Sequence, residues 1–144
     1  QMVKVFEREH ASVLAVQEVD PAETKSYGIV SSTPWNNRSE RVNAIVEKPD
    51  PKDAPTNLAV VGRYVLNSQI FDHIRKTGKG AGGEIQLTDG IASLLEDQPV
   101  LAYRFTGTRF DCGSKMGYLK ATVELGLKHH EVAAEFAQYL KDRK

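Results

Sequence analysis

The chain reads as a single α/β unit over residues 1–144. Three observations predict this. Apolar runs of strand length alternate with amphipathic stripes of helical period, Pro and Gly punctuate the joints, and the stripes after Met116 are all helical. No internal repeat, linker or low-complexity stretch divides the sequence.

Met2, Val3 and Phe6 stand at helical spacing with no capping residue ahead of them, so the chain opens inside an amphipathic helix, as expected of a fragment. Val13, Leu14, Ala15 and Val16, within Ser12 to Val19, form an apolar run too short for most helices and stopped by Pro21, which predicts a buried strand. Tyr27 to Ser31 is a second extended piece. Pro34-Trp35-Asn36-Asn37 then reads as a hairpin-like connection, because Asn tolerates positive φ. Arg41 to Glu47 returns as a strand with Val42, Ala44 and Val46 on one face and Ile45 on the other. Pro49 and Pro51 lack backbone donors and end it, leaving Glu47 and Lys48 at its carboxyl end.

Leu58 to Leu66 is a long apolar strand, and Asn67 or Ser68 can cap a helix carrying Ile70, Phe71 and Ile74 that stops before the glycine run 78–83. Leu87, Ile91, Leu94 and Leu95 make the next helical stripe, and Pro99 opens a strand through Phe105. Thr106 to Gly113 connects to a helix striped by Met116, Leu119, Val123 and Leu127. A last helix carries Val132, Phe136 and Leu140 with Ala133 and Ala137.

With 40% hydrophobic and 26% charged residues, a chain of 144 residues has ordinary globular composition and can bury roughly 68–70% of its unfolded surface. Its 19 Lys and Arg balance 19 Asp and Glu, which removes the general attraction that a nucleic-acid or anionic-membrane binder uses. The expected partner is a small molecule, with no nucleic acid and no membrane. Cys112 is the lone cysteine, so there is no intramolecular disulfide or Cys-rich zinc site, and a cytoplasmic setting fits.

Several residues could carry chemistry, each with a plainer alternative. Glu47 can accept bonds from two sugar hydroxyls while Lys48 neutralises a phosphate, or the two form a solvated strand-end pair. Gly28 lets backbone approach a ligand, or marks a bulge; Gly62 poses the same choice. Tyr64 stacks under a sugar ring or fills the core. Asp111 supplies one carboxylate to Mg²⁺ or favours the amino terminus of the helix that follows. The run 78–83 lacks the Gly-Lys-Ser/Thr closure of a phosphate loop and is assigned no phosphate role. His10, His73, His129 and His130 lack the spacing of a zinc site.

Five segments in order carry a resemblance. They are Tyr27-Gly28-Ile29-Val30, Val46-Glu47-Lys48-Pro49, the stretch from Ala54 to Tyr64, the stretch from Gly80 to Asp89, and Phe110-Asp111-Cys112-Gly113-Ser114 running on to Tyr118. Together they resemble the carboxyl-terminal half of the bacterial UTP:glucose-1-phosphate uridylyltransferases, or UDP-glucose pyrophosphorylases. The resemblance implies part of a Rossmann-like nucleotide-diphospho-sugar transferase fold, with a mixed β-sheet flanked by helices and a helical carboxyl terminus.

It further implies that glucose 1-phosphate attacks the α-phosphorus of UTP, giving UDP-glucose and pyrophosphate with Mg²⁺, mostly by positioning and charge neutralisation. Carried over by position, Glu47 holds glucose hydroxyls and Gly28 offers a backbone contact. Lys48 pairs with the sugar phosphate, Asp111 ligates Mg²⁺, and Tyr64 lies beside the sugar. The family's amino-terminal half, with its glycine-rich nucleotide loop and second metal-binding Asp, has no counterpart in these residues. The expectation is therefore a chain that does not turn over alone, leaves a sheet edge and an apolar face uncovered, and forms a homo-oligomer. A non-catalytic regulatory or assembly paralogue that binds UDP-glucose is the alternative.

Overall fold

The computed structural model describes residues 1–80 and 83–143. The chain divides into two compact units, Gln1–Phe105 and Thr106–Lys144. The first holds helix α1 (Met2–Glu9), strands β1 (Ser12–Glu18), β2 (Gly28–Asn36), β3 (Ser39–Glu47) and β4 (Leu58–Val65), helices α2 (Ile70–Lys76) and α3 (Leu87–Asp97), and strand β5 (Val100–Arg104). The second holds α4 (Lys115–Gly126) and α5 (Ala133–Lys141).

The sheet is mixed, as expected. β1 and β5 run parallel, and the other pairs are antiparallel. Its strand order β1-β4-β2-β3-β5 closes on itself, because the first residues of β3, Ser39 to Arg41, pair with Tyr103 to Leu101 of β5. The uncovered sheet edge expected from the sequence is therefore absent among the described strands, since closure pairs every strand on both sides.

Both faces of β1 are covered. Leu14 and Val16 join Val30, Leu58, Val60, Ile91, Leu94 and Val100 in the larger core, and α2 and α3 contribute Ile70, Ile91 and Leu94 to it. Val13 packs with Leu101 and with Val5 of α1 in a smaller one. Val13, Leu14, Ala15 and Val16 are each no more than 2% exposed, so this apolar run meets the burial that predicted it.

Three local departures have identifiable causes. On β3 the buried residues are Ser39, Val42 and Ile45, while Ala44 and Val46 face solvent. Asn43 is an extra residue between the pairs Ser31 to Ala44 and Ser32 to Val42, and this bulge flips the side-chain phase that strict alternation would give. β2 runs on through Pro34, Trp35 and Asn36, and the turn falls at Asn37 and Arg38. The Glu9 carboxylate holds that tip, accepting from Trp35 Nε1 at 3.0 Å and Asn36 Nδ2 at 2.8 Å. In α2, Ile70 and His73 are buried but Phe71 is 61% exposed. The helix turns its Ile74 edge toward Gly90 of α3, where an added Cβ would come within 2.9 Å of Ile74 Cγ1. His73 locks the pair, with Ser93 Oγ 2.8 Å from Nδ1 and Asp97 Oδ2 3.2 Å from Nε2.

A 3₁₀ segment, Pro21–Ser26, precedes β2, capped by Asp20 with Glu23 reaching back, an Asp-x-x-Glu signature that the sequence also displays. In the second unit Ser114 caps α4 by accepting from Gly117 N at 3.0 Å, and Phe136 of α5 lies against Gly126. The stripe expected to pack is exposed at Met116 and Leu119, and Ala121 is the buried residue of α4. No helix among the described residues is long and apolar enough to cross a membrane.

Candidate functional site

The carboxyl end of β3 is built to hold an acid and a base. Glu47 pairs across the sheet with Gly28, and the next N–H, that of Lys48, donates to the Tyr27 carbonyl at 3.0 Å. Lys48 then adopts a φ of 47°, a positive value uncommon outside glycine, directly before Pro49, which restricts its predecessor as well. Such a backbone costs on the order of 1–3 kcal/mol, is kept only where the surroundings over-determine it, and tends to occur at functional positions.

The side chains complete the site. Glu47 is largely buried, and Thr88 in the first turn of α3 donates its hydroxyl to Glu47 Oε2 at 2.5 Å. Lys48 Nζ stands 3.4 Å from Oε1 on an exposed stem. A carboxylate offers about four lone-pair positions, so these two partners leave about two for a ligand. A Cβ at Gly28 would sit 3.3 Å from Glu47 Oε2 and 3.5 Å from Thr88 Oγ1, so glycine leaves the space over the pair open. Tyr64 is close enough to feel the same carboxylate: burial first, and then the Glu47 charge, push its phenol above the ordinary value. It lies just past an irregular stretch of β4 around Gly62, whose φ is 71°, so Gly62 belongs to a bulge. Gly28, Glu47, Lys48 and Tyr64 thus share one locality.

Asp111 lies in the second unit, in the loop that leads to Ser114 and α4. Its Oδ2 accepts from Arg109 at 2.9 Å and its Oδ1 from the Gly113 N–H at 3.0 Å. A Cβ on Gly117 would collide with the Asp111 carbonyl oxygen, so the loop depends on that glycine. No group of three His, Cys, Asp or Glu side chains converges among the described residues. A single half-exposed carboxylate fits Mg²⁺, which takes one or two protein ligands and fills its shell with water and phosphate oxygens.

Two site residues were missed by sequence reasoning. Thr88 lay inside a quoted segment without a role, and its signal was a hydroxyl in the first turn of the helix after the glycine run. Arg109 was visible only as a charge two positions from Asp111. Of the run 78–83, residues 81 and 82 lie outside the described residues; Gly80 N bonds the Glu84 carbonyl at 2.9 Å.

A family model of nucleotidyl transferases matches residues 1–126. The chain belongs to the nucleotidyl transferase family. A UTP--glucose-1-phosphate uridylyltransferase of Pseudomonas aeruginosa is 50% identical over 122 residues, covering 85% of this chain and 44% of the relative. One from Staphylococcus saprophyticus is 45% identical over all 144 residues and 50% of its own length. This nucleotidyl transferase chain thus spans about half the length of the curated relatives it matches. Among solved structures, a UDP-glucose pyrophosphorylase complexed with UDP-glucose superposes with a TM-score of 0.85 at 36% identity, over 90% of this chain and 49% of that one. A UTP-bound enzyme of the same name from Acinetobacter baumannii gives 0.85 at 41% identity, over 99% and 49%. The α/β fold, with its mixed sheet and helical flanks, is that of these structures.

Proposed function

We propose that this chain is the sugar-phosphate-binding half of an enzyme that makes UDP-glucose and pyrophosphate from UTP and glucose 1-phosphate. The observation that carries the reading is the Glu47 carboxylate, buried on one side by Thr88 and open on the other beside Lys48 and Gly28. Two vicinal hydroxyls of a hexose match the lone pairs left on Glu47, and the Gly28 backbone approaches the ring. Lys48, exposed and held by a weak 3.4 Å pair, swings to the phosphate. Tyr64 borders the sugar. Positioning two anions in line and neutralising the charge that builds on the phosphoryl oxygens supplies most of the acceleration in such a transfer.

Asp111 would hold Mg²⁺, whose chemistry is to neutralise phosphate oxygens. To take that role Asp111 exchanges its contact with Arg109. The cytoplasm as its setting is consistent with the exposed free Cys112, and self-association through exposed apolar residues such as Met116 and Leu119 belongs to the same proposal.

Calorimetric titration of UDP-glucose, with and without Mg²⁺, into the chain and its Glu47→Gln and Asp111→Ala variants tests this. Glu47→Gln should weaken binding about tenfold or more. Asp111→Ala should abolish the Mg²⁺ dependence and leave metal-free binding intact. Undiminished affinity in Glu47→Gln contradicts the reading.

A further inference from the structure

We infer that Thr88 is the positioning residue that keeps Glu47 aimed at the sugar once Lys48 has left it for the phosphate. The inference deepens the reading above and rests on Glu47 as the sugar ligand. Among the described residues Glu47 has two side-chain partners, and they differ in kind. Lys48 Nζ is 3.4 Å from Oε1, longer than the 2.7–2.9 Å typical of a charge-assisted N–H···O bond, and its side chain is 55% exposed on a flexible stem. Thr88 Oγ1 is 2.5 Å from Oε2, at the short end for a hydroxyl on a carboxylate, and Thr88 is 9% exposed.

A phosphate arriving beside the sugar competes for the lysine. It has no comparable hold on Thr88, whose hydroxyl can donate only one hydrogen and has given it to Glu47. Threonine suits the task because its β-branched side chain has few rotamers in a helix. Its hydroxyl bonds a residue 41 positions earlier, so the contact ties α3 to the end of β3. With Oε2 pinned there, the carboxylate plane is set and Oε1 is the atom uncovered when Lys48 moves. A side chain at Gly28 would crowd both Oε2 and Thr88 Oγ1, so the opening over the pair depends on the same three elements.

The test is a double-mutant cycle in the intact chain, with glucose 1-phosphate as the titrant. Thr88→Val keeps the shape and removes the donor; Thr88→Ser keeps the donor. We expect Thr88→Val to weaken binding about tenfold, as for loss of a hydrogen bond to a charged group, and Thr88→Ser to stay within about twofold of the parent. In a Glu47→Gln background, Thr88→Val should add no further loss, a coupling that general disruption of α3 would not produce. Parent-like binding by Thr88→Val, or an equal loss in the Glu47→Gln background, overturns the inference while leaving Glu47 as ligand. Parent-like binding by Glu47→Gln alone overturns the reading beneath it and the inference together.

Discussion

Strand β3 carries Glu40 near one end and Glu47 at the other, and each accepts from a hydroxyl, Ser32 at 2.6 Å and Thr88 at 2.5 Å. Their cations separate them. Arg104 of β5 donates Nε to Glu40 at 2.6 Å and a second arm to Glu18 of β1 at 2.9 Å, so one planar guanidinium joins three strands where the sheet closes. The Ser32 bond first, then Arg104, hold the Glu40 carboxyl below the ordinary range, while the bond to Glu40 leads in raising Arg104. Among the described residues the cation beside Glu47 is Lys48, its neighbour in sequence, at a longer 3.4 Å and on a backbone with positive φ. Similar chemistry on one strand therefore serves two ends. The tightly bonded cluster fastens the sheet, and the loosely paired one is the end proposed to take the ligand.

Removing each carboxylate in turn should break the symmetry most visibly. Glu47→Gln should cost about 1.5–3 kcal/mol in binding of glucose 1-phosphate and move the urea midpoint little. Glu40→Ala should do the reverse, losing about 1–2 kcal/mol of stability, a value discounted because Arg104 is partly exposed, with binding unchanged. Equal effects on both properties in either variant would erase the distinction.

Acid sharpens it. Because the native Glu40 value lies below the unfolded 4.5, the unfolded chain binds more protons in that window and stability rises with pH. That contribution is complete above the unfolded value and is lost as pH falls through the native one, so Glu40→Gln should flatten the acid limb of a pH-dependent melt. The smallest effect concerns Tyr64. Its phenolate absorbance should appear above the ordinary 10.0, and Glu47→Gln should lower its midpoint only in part, because burial is the larger cause.

Local order was legible in the chain and long-range pairing was not. The run Val13 to Val16, the stripe Ile91 and Leu94, and Pro99 before β5 each declare their element by period or breaker, and all three are where the sequence puts them. Pro49 likewise declared the end of β3 and so the place of Glu47 and Lys48. Closure through Ser39 and Tyr103 joins residues far apart, and no local pattern encodes it. Asn43 looks like any polar strand residue, yet its bulge decides that Val46 faces outward, because a one-residue slip inverts every side chain after it. Thr88 was hidden for the same reason: its partner is set by how α3 lies on β3, a fact of packing.

In the proposed reading the end of β3 receives the sugar phosphate. Titration of glucose 1-phosphate into isotopically labelled chain, followed through the amides of Gly28, Lys48 and Thr88, tests it most directly. The three signals should move together with one saturation curve and stay still in Glu47→Gln. Saturable binding that shifts amides elsewhere while these three remain fixed would contradict it.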